Sequence, residues 1–371
     1  MSRKICFIVT DYNSGGGTER VLSQVANGLV VKGYDVSIVS LGHGKQPQFY
    51  TNDKIALYEL NVMPVAQKSK LGFWCNKLIM STRKAKAIQN ILMQICPNIA
   101  VVAGIGFYRY IERARKKLKI KTIAWEHFCL SAYNLPQINK SRRLAVKKAD
   151  KLIVLSDGDL LAYQQKYPKA VNLMRIYNPI AFDITNNIDI NNKVIVAAGR
   201  YVYEKGFDML IEAWKEIAHQ VGDWEIRIFG EGIDRNNLQK QIDTYNLKNI
   251  KLCGYAQSLD KEYEKASIFC LSSRYEGWGL VLVEAQAKGL PCISFDCKNG
   301  PREIIEDGVN GFLIKANDTE EFAKKLLFLI QSKETRQLFS CNSQKALHKF
   351  KTENIINEWN GLIKTLLDDN H

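Results

Sequence analysis

Short apolar runs alternate with longer amphipathic stretches along this chain, and the alternation occurs twice. Ile5–Val9, Val36–Ser40, Ile99–Ala103, Thr122–Trp125 and Leu152–Leu155 are continuous apolar segments of strand length, the pattern of parallel strands buried on both faces. Between them lie stretches with helical periodicity, such as Thr18–Lys32 and Ser81–Cys96. The cycle restarts at Lys193–Ala198 and continues through Trp224–Phe229, Ile250–Cys253, Ile268–Leu271, Cys292–Phe295 and Phe312–Ile314. Two such successions predict two doubly wound α/β domains. Tyr177-Asn178-Pro179-Ile180 and the polar stretch Thr185–Asn192 mark the seam, because a residue preceding proline is biased to extended backbone. The expected boundaries are 1–179 and 180–352. The remaining 353–371 forms an amphipathic helix with Ile356, Trp359, Leu362, Ile363 and Leu366 on one stripe, able to pack on either domain.

A length of 371 residues, 46% of them apolar, suits two cores. No leader is expected before the first strand, since Met1-Ser2-Arg3-Lys4 runs straight into it, and the longest apolar stretch, Ile99–Phe107, is about half of a membrane span. The expectation is a cytoplasmic protein. Its nine cysteines, without CxxC spacing, are expected to be reduced thiols, those at Cys6, Cys253, Cys270 and Cys292 buried in strands. Five scattered histidines argue against a metal cluster.

The net charge of +14 is unevenly distributed. Residues 1–180 carry 28 Lys and Arg against 10 Asp and Glu, and the remainder carries 24 against 28. A basic first half implies a polyanion: nucleic acid, an anionic membrane surface or a lipid diphosphate. Lys68, Lys70, Lys77, Arg83, Lys84 and Lys86 interleave with Leu71, Phe73, Trp74, Leu78 and Ile79, which suits a membrane interface. Further basic groups follow at Arg113–Lys121, and at Arg142, Arg143, Lys147 and Lys148. No nucleic-acid-binding motif is present, so nucleic acid is not the expected partner.

The segment richest in chemistry is Ser272–Glu284, SSRYEGWGLVLVE. Glu276 reads as a carboxylate on a loop and Glu284 as a second, two turns into a helix, about 12 Å further on. Gly277 and Gly279 leave backbone N–H groups bare at the helix start, where a phosphate binds through free donors and the helix dipole. One segment thus offers a group for a sugar, donors for a diphosphate and an acid for a ribose. Ser14-Gly15-Gly16-Gly17-Thr18-Glu19-Arg20 opens the first helix with three glycines, yet lacks the GxGxxG spacing of a nicotinamide site. Gly199–Gly206 places Arg200 and Lys205 on a loop at a sheet edge, where two cations can clamp a diphosphate. Gly230-Glu231-Gly232 follows the next strand, and Cys253-Gly254-Tyr255 offers backbone to a base edge. Trp125-Glu126-His127 ends a first-domain strand, with His127 facing the expected cleft.

Taken in this order, these motifs, with Gly289-Leu290-Pro291 and Gly308-Val309-Asn310-Gly311, resemble the retaining GT-B glycosyltransferases of family 4 (glycosyltransferase group 1), and the resemblance covers nearly the whole chain. The surface-polysaccharide type is the nearest in pattern. The resemblance implies two Rossmann-like domains facing a central cleft, the first for the acceptor and the second for a nucleotide sugar. It implies that Glu276 holds hydroxyls of the donor sugar, that Glu284 holds the ribose, and that the amides of Gly279, Leu280 and Val281 meet the diphosphate opposite Arg200 and Lys205. Gly16 and Gly17 approach the phosphate, and His127 touches the sugar near the reacting carbon. Trp278 stands where many relatives carry another hydrophobe, and it is expected to tune the sugar pocket. No metal or other cofactor is implied. The expected reaction transfers a hexose or N-acetylhexosamine from a UDP-sugar, with α-linkage, to a polyprenyl-diphosphate-linked or surface glycan acceptor, for polysaccharide biosynthesis on the inner face of the cytoplasmic membrane. Alternatives are a GDP-sugar-dependent transferase or a GT-B-like epimerase or phosphorylase. A retaining path without an obvious nucleophilic carboxylate favours same-face attack assisted by the leaving phosphate.

Overall fold

The computed structural model describes residues 3–42, 47–62, 70–132, 135–185 and 187–368; within these, the side chains of 70–81 and of Arg113 are not described. The chain divides into two compact units, Met1–Pro179 with Thr352–His371, and Ile180–Lys351.

Among the described residues the first unit holds seven parallel strands: β1 (Lys4–Val9), β2 (Asp35–Ser40), β3 (Ala56–Glu59), β4 (Ile99–Ala103), β5 (Lys121–Trp125), β6 (Lys151–Val154) and β7 (Leu173–Arg175). They lie in the order β3-β2-β1-β4-β5-β6-β7. The second unit holds six: β8 (Val194–Ala198), β9 (Glu225–Phe229), β10 (Ile250–Gly254), β11 (Ile268–Leu271), β12 (Cys292–Asp296) and β13 (Gly311–Lys315), in the order β10-β9-β8-β11-β12-β13. In each sheet the order reverses beside the first strand, between β1 and β4 and between β8 and β11. Loops leaving the carboxyl ends there diverge to opposite faces and open a crevice.

The apolar runs are strands because both sheet faces are covered. β4 is buried at all five positions, as are Ile5–Val9 of β1. β3 and β7 were not expected from the pattern. β3 is an exposed edge strand, ALYE, and β7 is three partly exposed residues, so neither carries an apolar run. The helix expected from Ser81 begins at Lys70 and runs to Ile95. Lys68 lies outside the described residues, as do the side chains of Lys70, Leu71, Phe73, Trp74, Lys77, Leu78 and Ile79.

The terminal helix Thr352–Asp368 belongs to the first unit. Its stripe is buried: Trp359 meets the Trp125 ring edge-on at 4.8 Å and the Phe7 ring at 6.4 Å, and Tyr34 donates to Asn360 Oδ1 at 2.8 Å. Thiols at Cys6, Cys270 and Cys292 are buried as expected; Cys253 is not, because it lies on the exposed edge strand β10. Arg142, expected on a basic face, is instead fully buried in an ion pair.

Candidate functional site

In the second unit the loops after β8 and β11 meet at the point of strand reversal. The first carries Lys205 on a short turn, Tyr203–Lys205, and the second carries Ser272–Gly279. Gly206 lets them approach. Its φ of +62° is left-handed, and a Cβ there would lie 2.1 Å from the Ser272 carbonyl oxygen, closer than any side chain tolerates. Hydrogen bonds then fasten the loops: Ser272 Oγ donates to the Lys205 carbonyl at 3.0 Å, and the Arg274 amide donates to the Glu204 carbonyl at 2.9 Å. Arg274 also forks onto Asp208, with Nη1 to Oδ1 at 2.7 Å and Nη2 to Oδ2 at 2.6 Å, and lies over the Tyr203 ring at 4.1 Å.

The result is one compact polar cluster. Lys205 Nζ and Ser273 Oγ both donate to Glu276 Oε1, each at 2.6 Å. Glu276 is 7% exposed and Ser273 1%, so the carboxylate is held rather than solvated. Lys205 keeps further N–H donors beyond the one that Glu276 takes. Arg200, on the same loop, is exposed. Ser273, Arg274 and Asp208 were not picked out from the sequence. The only signal for them was proximity to Glu276 or Lys205 in the chain, which does not show who bonds to whom.

The helix after Glu276 starts at Leu280, because Gly279, with φ at +91°, interrupts the backbone. Glu284 is therefore one turn into the helix, not two, and Glu276 lies on non-helical backbone. The amides of Leu282 and Val283 close on the Gly279 carbonyl, at 2.9 and 3.3 Å. Those of Leu280 and Val281 are left at the helix start, without an intrahelical acceptor. Both residues are partly exposed, whereas Glu284 is 1% exposed. Gly277 is partly exposed between the two groups.

Two expected roles are corrected by the packing. The Trp278 ring is turned inward and meets Phe350 edge-on at 4.9 Å, so it fills core rather than lining an open sugar pocket. Gly254 has little backbone to offer a base: its N–H meets Tyr201 Oη at 3.3 Å and its carbonyl accepts the Gly230 amide at 2.8 Å. Tyr255 beside it is exposed. Gly230 and Gly232 serve close packing, since a Cβ on either would strike the backbone of Gly199 or Tyr201.

In the first unit, Gly17 is the exposed first residue of the helix Gly17–Val31 and Gly16 its extended N-cap. The Glu19 carboxylate lies beneath Gly16, 2.6 Å from where a Cβ would stand. Burial raises its pKa, against hydrogen bonds that include those from Ser14 and the Gly16 amide. His127 follows β5. Its ring packs on Trp125 at 4.4 Å between centroids, and burial pushes its pKa down to about 3, so the imidazole is neutral. Its Nε2 is buried without a hydrogen-bond partner among the described residues. No three His, Cys, Asp or Glu side chains converge as metal ligands among the described residues. No helix there is long and apolar enough to cross a membrane.

Two parallel-sheet α/β units, each with its strand order reversing beside the first strand, fit the GT-B class of fold. Comparison with known proteins narrows the class. The model for Glycosyltransferase Family 4 matches residues 15–183, and that for Glycosyl transferases group 1 matches residues 182–346. An uncharacterized glycosyltransferase of Haemophilus influenzae is 31% identical over 364 residues, spanning 97% of this chain and all of that protein. A Campylobacter jejuni α-1,4-N-acetyl-D-galactosaminyltransferase, named for a diNAcBac-PP-undecaprenol-linked acceptor, is 27% identical over 97% of this chain and 98% of its own length. Among solved structures, Anabaena HepE in complex with UDP and glucose superposes with a TM-score of 0.80 at 19% identity, over 98% of this chain and 99% of its own. The chain belongs to the family 4 (group 1) glycosyltransferases and is a glycosyltransferase.

Proposed function

We propose that this glycosyltransferase moves a hexose or N-acetylhexosamine from a UDP-sugar, with retention and an α-linkage, onto a polyprenyl-diphosphate-linked or surface glycan acceptor in polysaccharide biosynthesis. The observation that carries the proposal is the Lys205–Glu276–Ser273 cluster beside the bare amides of Leu280 and Val281. Lys205 can bridge Glu276 to a diphosphate, and the amides with Arg200 add positive potential. Glu276, already bonded through Oε1, presents Oε2 to a sugar hydroxyl. Glu284 serves the ribose and Tyr255 the base; Gly16, Gly17 and His127 of the first unit serve the phosphate and the sugar. UDP and glucose in HepE support the donor class, and the Campylobacter relative's name supports the acceptor class.

In the reaction, the bond from the anomeric carbon to the β-phosphate oxygen breaks with its electron pair going to UDP. Fixed positive charge at the diphosphate stabilises that departure. The acceptor hydroxyl forms the new bond on the face just vacated, and its proton passes to a leaving phosphate oxygen. No metal is part of the proposal, because Lys205 and Arg200 supply charge that a cation supplies elsewhere.

A membrane-peripheral position on the inner face of the cytoplasmic membrane is part of the reading. Its support is a basin of about 410 Å³ at the amino ends of β5 and β6. Exposed Lys116, Lys119 and Lys148 surround Asp150 there, and Arg115 and Lys121 lie within 3.8 Å of that carboxylate.

The test is thermal unfolding with a panel of UDP- and GDP-sugars, followed by turnover of the most stabilising donor. Glu276→Gln is expected to lower kcat by about 100-fold or more, the cost typical of a lost electrostatic contact, and Lys205→Ala to abolish the stabilisation. Near-normal turnover in both variants refutes the assignment. Conversion of the sugar without acceptor establishes an epimerase instead.

A further inference from the structure

A buried charge pair lies directly behind His127. Glu126 and Arg142 have no exposed side-chain surface, and Arg142 Nε donates to Glu126 Oε2 at 2.8 Å. The Tyr163 hydroxyl donates to the same oxygen at 2.9 Å, and the Phe128 amide reaches Glu126 Oε1 at 3.3 Å. Arg142 spends its remaining donors on backbone: Nη1 on the Leu130 carbonyl and Nη2 on the Cys129 carbonyl, both at 3.0 Å. The Leu130 amide donates to Asp159 Oδ1 at 2.8 Å, and the Asp159 amide donates to the capping hydroxyl of Ser156. Thus β6, whose Ile153 carbonyl accepts the Glu126 amide at 2.9 Å, the helix Pro136–Lys148 and the helix Asp157–Lys166 all bond to one turn, residues 126–130.

His127 lies inside that turn, between two pinned neighbours. Burial raises the pKa of Glu126, with Arg142 and Tyr163 opposing. Burial works to lower that of Arg142, and the charge of Glu126 with its neighbours reverses the direction.

The energetics do not favour such a pair for stability alone. Desolvating each ion costs several kcal/mol, and replacing a buried ion pair by apolar side chains of similar volume is often neutral or stabilising. What apolar side chains cannot do is bond the carbonyls of Cys129 and Leu130 and the amide of Phe128. Those bonds fix the backbone on the carboxyl side of His127, while the Trp125 ring fixes its face. The Nε2 left without a partner is thereby held at one place at the sheet's carboxyl edge.

We propose that Glu126, Arg142 and Tyr163 form a positioning set that holds the His127 imidazole for contact with the transferred sugar. The set rests on the reading of His127 as a donor-sugar residue, and it acts through His127 rather than touching substrate.

The experiment uses the full chain and four variants: Glu126→Met/Arg142→Met, Glu126→Gln, Tyr163→Phe and His127→Gln. Three quantities are read: the unfolding midpoint, kcat and KM for the UDP-sugar that stabilises the protein most, and the imidazole signals in ¹⁵N-histidine NMR. The His127→Gln spectrum identifies the His127 signal among the five histidines. The double variant is expected to unfold below the wild-type midpoint, because the carbonyls of Cys129 and Leu130 lose their donors, and where it folds to lose about 10- to 100-fold in kcat, with a smaller change in KM, as misplacement by about 1 Å produces. Its His127 signal is expected to broaden or shift. Tyr163→Phe and Glu126→Gln keep the shape of the cluster and are expected to show the same split in smaller degree, which settles the matter if the double variant does not fold. A His127 signal and a kcat both unchanged in the variants that fold overturn the proposal. Wild-type turnover in His127→Gln overturns the donor-sugar reading of His127 instead, and the NMR signal then still reports whether the set positions the ring.

Discussion

Burial of a neutral His127 makes the stability of the first unit depend on pH. In the unfolded chain its imidazole titrates near the ordinary value of 6.5, and in the fold near 3. Between these values the unfolded state binds the proton and the folded state does not, so stability rises with pH through this window and is lost as pH falls. The slope approaches about 1.4 kcal/mol per pH unit. From about pH 7.5 to about pH 5, linkage with these two values gives a loss of about 2 kcal/mol from this one side chain. Glu19, Glu126 and Glu358, whose pKa values are raised, act in the opposite direction, each losing its contribution as pH rises above the ordinary carboxylate value. A difference measurement cancels them to first order. Urea unfolding of wild type and His127→Gln is compared at both pH values by following tryptophan emission, to which Trp125, 4.4 Å from the His127 ring, contributes. Whatever the offset at about pH 7.5, the stability of wild type relative to the variant is expected to fall by about 2 kcal/mol at the lower pH. A gap that stays constant within about 0.5 kcal/mol refutes the reasoning, because His127 would then be protonating without penalty.

Gly206→Ala forces a side chain into left-handed backbone, at a cost of about 1–2 kcal/mol, and against the Ser272 carbonyl besides. It is expected to lower the unfolding midpoint and to weaken UDP-sugar stabilisation by separating Lys205 from Glu276; calorimetry with and without donor checks both, and unchanged values contradict the loop contact. Reversing charge at Lys116 and Lys148, by Lys116→Glu/Lys148→Glu, is expected to reduce co-sedimentation with anionic vesicles at low salt while leaving turnover of free UDP-sugar intact. Absence of wild-type binding to such vesicles at low salt removes the membrane reading.

Much of the fold was legible because both sheets are parallel and covered on two faces. Burial on both sides turns each inner strand into an uninterrupted apolar run, so β4 and β11 show plainly in the pattern. The edge strands β3 and β7 escaped for the converse reason: with solvent near, ALYE and LMR need no apolar run, and only pairing to β2 and β6 makes them strands. Glycine spacing marked the loops correctly without showing what each glycine does. Gly206 admits the neighbouring loop, Gly254 spends its backbone internally and Gly16 accommodates Glu19.

The sequence by itself determined the βα succession, the loops that carry Lys205, Glu276 and His127, and the family, because each depends on local pattern and order along the chain. Tertiary structure alone decided which groups bond. Lys205 and Glu276 are 71 positions apart and meet at 2.6 Å only because β8 and β11 are neighbours in the sheet. Arg142 reads as one more lysine-like surface charge until the fold buries it against Glu126, and Trp278 reads as a pocket residue until Phe350 covers it. The physical reason is common to all three: hydrophobic periodicity records which face of an element is buried, whereas the partner of a polar or aromatic side chain depends on how distant elements are arranged in space.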